Sequence, residues 1–104
     1  RAKDFNPKKY FDSEFGVWNI AGAPVKIELL FDKKINTYIL ERNWHPTQQL
    51  RHNADDTVYL SFETNQLPET LHWVMSFGSA VTVLNPPELI EAVKEEVRKT
   101  AELY

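Results

Sequence analysis

A chain of 104 residues has the size of one domain closing one core between two layers, which excludes a second domain. Hydrophobic residues make up 42% and aromatics 12%, enough apolar surface to offset the entropy of ordering the chain, which excludes wholesale disorder. A formal charge of −3, from 12 Lys+Arg against 15 Asp+Glu, excludes a domain that grips phosphates through its overall field.

Along the chain, Pro7 to Gly16 reads as a short helix begun by proline and stopped by glycine. With its connector it forms an N-terminal piece, 1–23, ahead of the main domain, 24–104. Val25, Ile27, Leu29 and Phe31 recur with period 2 and predict a half-buried strand. Lys33 to Asn43 then carries Ile35, Tyr38, Ile39 and Arg42 at helical spacing, with Asp32 placed to cap the helix.

Gln48 to His52 reads as an edge strand, joined through the turn-rich Asn53-Ala54-Asp55-Asp56 to a strand over Thr57–Glu63. Pro68 opens a second helix, through Phe77, with Leu71, Val74 and Met75 inward and Gly78 as its stop. A strand at Ala80–Leu84 follows. A last helix starts at Pro86-Pro87, with Ile90, Val93, Val97, Ala101 and Tyr104 in register and Glu95 set to pair with Lys99.

Strand, helix, strand, strand, helix, strand is the order of the split βαβ unit. The expectation is an α+β, ferredoxin-like sandwich with a four-stranded antiparallel sheet and extra helices at both ends. One sheet face, from Val25, Ile27, Leu29, Phe31, Val58, Leu60, Phe62, Val81 and Val83, would be covered by helices. Lys26, Glu28, Leu30, Tyr59, Ser61, Glu63 and Thr82 would line the other.

The search for chemistry returns little. His45, His52 and His72 fall on different predicted elements in no zinc spacing, and the serines lack a nucleophile-elbow context. Three glycines cannot write a phosphate loop or a dinucleotide fingerprint, so no cofactor is expected. The absence of cysteine removes thiol chemistry and fits a reducing cytoplasm. No stretch approaches the roughly 20 apolar residues of a membrane span. The start, Arg1-Ala2-Lys3-Asp4-Phe5, lacks a signal-peptide core, and opening on Arg suggests a fragment of something longer.

Arg42-Asn43-Trp44-His45-Pro46-Thr47-Gln48 differs from this background. It gathers a cation, an indole, an imidazole and an amide at a helix-to-strand turn, and Pro46 biases His45 toward extended backbone. Two readings stand. In one, Trp44 plugs the core edge while Arg42 and His45 bind the carbonyls left over at the helix end. In the other, Arg42, His45, Gln48 and Arg51 project donors toward a partner or ligand.

Four motifs in order, Phe15-Gly16-Val17-Trp18, Arg42 to Gln49, Ser76-Phe77-Gly78-Ser79-Ala80 and Leu84-Asn85-Pro86-Pro87-Glu88-Leu89, make the chain resemble a known family. From Phe5 to Tyr104 it is similar to the C-terminal extension domain of WYL-domain bacterial transcription regulators. The resemblance implies a longer regulator, with a winged-helix DNA-binding domain and a central WYL barrel that this chain does not contain.

It also implies a non-catalytic module for effector sensing and homodimerisation, mating with the barrel of the same or a second subunit; some members respond to single-stranded nucleic acid. Arg42, His45, Gln48 and Arg51 become the candidate effector-facing groups. Gly16, Trp18, Trp44, Pro46, Gly78 and Pro87 become structural positions. Where the family's hairpin turn often carries glycine, this chain has Asp55-Asp56. Two other classes remain for comparison: an independent single-strand nucleic-acid binder using the open sheet face, for which Tyr59 is the obvious stacking residue, and a small enzyme, for which the sequence offers no signature.

Overall fold

In the computed structural model, residues 23–104 are described; the expected helix from Pro7 to Gly16, and with it Gly16 and Trp18, lie outside them. Alternation sets the sheet. Strand β1, Val25–Phe31, buries Val25, Ile27, Leu29 and Phe31 on one face and leaves Lys26, Glu28 and Leu30 on the other. It pairs antiparallel with β3, Val58–Thr64, in a continuous register from Val25 opposite Thr64 to Phe31 opposite Val58.

Strand β2, Gln49–His52, adds antiparallel to the far side of β3. Strand β4, Val81–Asn85, pairs antiparallel with the other side of β1, with an irregularity between Glu28 and Leu29. The sheet order is therefore β2-β3-β1-β4. Helix α1, Asn36–Leu40, links β1 to β2, and helix α2, Leu67–Met75, links β3 to β4. This is the expected α+β sandwich with a four-stranded antiparallel sheet, in an order compatible with the ferredoxin-like arrangement. Helix α3, Pro87–Ala101, follows β4, and Pro87 occupies its first turn, where a missing N–H costs nothing.

The apolar face of the sheet meets Ile39 of α1, Leu67, Leu71 and Val74 of α2, and Leu89 and Ala92 of α3 in one core. Val81 and Val83 of β4 are only partly buried, at its margin. On the other face, Ser61 is nearly inaccessible, at 3% exposure, because it lies in register between Glu28 of β1 and Gln49 of β2.

Three elements differ from expectation. The helix expected over Lys33–Asn43 is a 3-10 turn, Lys33–Ile35, followed by the five residues of α1. Asp32 caps this run as expected, its Oδ2 accepting from the Lys34 N–H at 2.9 Å. Helix α2 ends at Met75 rather than Phe77, and Gly78 begins a 3-10 turn at φ +57, a left-handed geometry that glycine adopts without strain. In α3 the buried residues are Leu89 and Ala92, a stripe beside the expected one, and Val97 stays half exposed. On the same helix Arg98 binds Glu95 and Glu102, and Lys99 lies 3.4 Å from Glu96.

Candidate recognition site

The end of α1 is closed by side chains. Trp44 turns back so that its Nε1–H donates to the Ile39 carbonyl at 3.0 Å. Arg42 donates from Nη1 to the Tyr38 carbonyl at 3.3 Å, while its guanidinium lies 3.8 Å over the Tyr38 ring. Carbonyls that a longer helix would have satisfied thus receive an indole and a guanidinium. His45 takes no part in this.

His45-Pro46-Thr47-Gln48 forms a β-turn, with the Gln48 N–H donating to the His45 carbonyl at 3.0 Å and proline in the position where its fixed φ fits. The Gln48 side chain laces this turn to the helix end. Its Oε1 accepts from the backbone N–H groups of Trp44 and of His45, the latter at 3.1 Å. Its Nε2 reaches the Arg42 carbonyl at 3.5 Å, the limit of a hydrogen bond.

His45 faces the other way. Its Nδ1 accepts from the Thr47 N–H at 3.2 Å and lies 3.0 Å from Thr47 Oγ1. Because that hydroxyl accepts from the Glu63 N–H at 2.9 Å, its own proton is directed at the ring. The network therefore assigns the proton of neutral His45 to Nε2, which has no hydrogen-bond partner among the described residues. The ring stacks on Phe62 at 5.2 Å with 21° between planes. Beyond it opens a recess of ≈ 260 Å³ lined by Trp44, His45, Phe62 and Trp73, by Thr64 at the end of β3 and Gln66 before α2, and by Glu69 and Thr70 of α2.

Arg51 lies on the opposite sheet face. In register with Tyr59, it holds its guanidinium 4.4 Å over the Tyr59 ring and donates from Nε to Asn53 Oδ1 at 3.2 Å. The Tyr59 hydroxyl donates to Glu28 Oε2 at 2.6 Å, and Lys26 stands 3.6 Å from the same oxygen. Burial, and then the bond to Glu28, push the Tyr59 hydroxyl above its usual pKa. A base stacking on Tyr59 would have to displace Arg51.

The four candidate residues are thus distributed over three environments. Arg42 and Gln48 hold the helix end, His45 stacks at the recess, and Arg51 covers Tyr59. The recess partners Phe62, Glu69 and Trp73 were not singled out by the sequence, because they come from β3 and α2 and share no spacing with His45. No group of three His, Cys, Asp or Glu among the described residues is placed to hold a metal ion. No helix among them is long and apolar enough to cross a membrane. The family model for the WCX domain matches residues 23–101. No curated protein matches the chain.

Proposed function

The chain belongs to the WCX domain family, the C-terminal domain of WYL-containing regulators, and from that premise we propose that it is the sensing and dimerising half-module of a bacterial transcription regulator. The observation that carries this reading is the span of the match, which runs from two residues before β1 to the last residue of α3.

In this role the domain mates with a WYL barrel, of its own or a second subunit, with Arg42, His45, Gln48 and Arg51 as the candidate effector-facing groups, Arg51 on the sheet face opposite His45. DNA is contacted through a separate N-terminal domain, and single-stranded nucleic acid is one candidate effector. The geometry divides the work. Arg42 and Arg51 keep donors at the surface while stacked on Tyr38 and Tyr59, so an anionic effector meets pre-ordered guanidinium groups. Gln48 sets the turn from which His45 is presented.

Replacing Arg42 and Arg51 together by Ala in the intact regulator is expected to weaken the effector response while leaving the domain folded, though without the Arg42 bond to the Tyr38 carbonyl. An unchanged response would remove both residues from the effector surface.

A further inference from the structure

The recess beside His45 has a composition that selects its occupant. Three aromatic residues and an imidazole form its walls: Phe62 and Trp73 meet edge to face at 6.0 Å, Trp44 and Trp73 at 5.4 Å, and His45 lies parallel to Phe62. Among the described residues the lining contains no Lys or Arg. Of the described carboxylates one, Glu69, belongs to it; it is exposed, and it makes no hydrogen bond or ion pair with any described residue. Gln66 and Thr70 are committed elsewhere, Gln66 Nε2 to Asn65 and the Thr70 hydroxyl to the Gln66 carbonyl.

Aromatic faces present negative potential, and an unpaired carboxylate adds to it. A cation is therefore favoured over a phosphate or carboxylate, the unpartnered Nε2–H of His45 being a single donor against the rings and the carboxylate. The volume, ≈ 260 Å³, suits a side-chain-sized group rather than a large cofactor. We infer that this recess is a binding site for a guanidinium group, stacked against the half-buried rings of Trp44 and Trp73 and paired with Glu69. Guanidinium fits better than ammonium because it is planar, weakly hydrated, and able to offer a carboxylate two parallel donors. The site stands on these residues alone, and its failure leaves the family reading untouched.

The guanidinium can arrive on a peptide or as a free small molecule, and titration of the 104-residue chain followed by ¹H–¹⁵N NMR separates the two. N-acetyl-arginine amide represents the first source, agmatine the second, and N-acetyl-citrulline amide is the neutral control of the same shape. Both cations are expected to shift the Trp73 indole and Glu69 and Thr70 amide resonances, the tighter one identifying the source. Citrulline amide should bind about tenfold more weakly, and Glu69→Gln should weaken the cations by about fivefold, as loss of a charge-assisted pair requires. Glu69 is at the surface, so that variant should keep its spectrum elsewhere. Equal binding of the citrulline control, an unchanged affinity in Glu69→Gln, competition by inorganic phosphate, or shifts located away from the recess would each overturn the assignment.

Discussion

The indole N–H of Trp44 donates to the Ile39 carbonyl at 3.0 Å, so the residue that fills the aromatic cluster also terminates the helix before it. Its ring packs 5.4 Å from Trp73, 5.5 Å from Tyr38 and 6.3 Å from Phe77. Trp44→Phe keeps most of the packing and loses the indole's bond to the carbonyl, leaving the long one from the Arg42 N–H at 3.5 Å. The expected cost is about 1–2 kcal/mol, read from the denaturant midpoint at unchanged m-value. A cost near zero would show that water replaces the indole there.

Gln48 makes a second test of the same turn. Its Oε1 serves two backbone N–H groups, so Gln48→Ala strands both and is expected to destabilise by about 1–3 kcal/mol. Gln48→Glu keeps the accepting oxygen and replaces Nε2, the donor of the long bond to the Arg42 carbonyl, with a second acceptor. Its loss should be clearly smaller than that of Ala, as measured by thermal unfolding at neutral pH.

The β2–β3 turn is closed without a glycine. Asp56 takes φ +71, a left-handed conformation that aspartate tolerates better than most residues. Asn53 closes the turn, its carbonyl accepting from the Asp56 N–H at 3.0 Å and its own N–H donating to Thr57 at 2.9 Å. Asp56→Gly should be within about 1 kcal/mol of the parent, trading relieved strain against chain entropy and the exposed His52 contact. Asp56→Val should cost more than about 1–2 kcal/mol, since a β-branched residue resists positive φ. Equal stability of the two variants would contradict the turn geometry.

Tyr59 gives the fold an alkaline limit. Its folded pKa is raised by burial and by the bond to Glu28, so the neutral phenol is the form that folding favours. The stability it contributes is complete below the unfolded value of about 10 and is lost as pH rises through the higher folded value. Absorbance titration at the tyrosinate band should show one tyrosine ionising after the others, and Tyr59→Phe should remove that late step. A late step that persists in the variant would assign it to another tyrosine.

The strands were legible because their signal is local. Val25, Ile27, Leu29 and Phe31 alternate with polar or half-buried neighbours, and period 2 has no competing interpretation over seven residues. The helix expected over Lys33–Asn43 is too long because Arg42 continues the helical spacing past Leu40, whereas its end is set by Trp44 reaching back across five residues, a contact invisible to periodicity. Helix α3 has two adjacent apolar stripes, and spacing could not decide between Leu89 with Ala92 and Ile90 with Val93 and Val97. The sheet packing decides it. At the candidate site, Pro46 and Trp44 were readable as turn and plug, but the recess was not, since Phe62, Glu69 and Trp73 become neighbours of His45 only when α2 folds back over the sheet.

Residues 23–101 match the WCX domain family, and the role proposed for them is the sensing and dimerising part of a larger regulator. Sedimentation velocity on the intact regulator, with and without residues 23–101, tests it most directly. The account predicts a homodimer for the intact protein and a shift toward monomer when the WCX domain is deleted. A strictly monomeric intact regulator, or a dimer indifferent to the deletion, would contradict it.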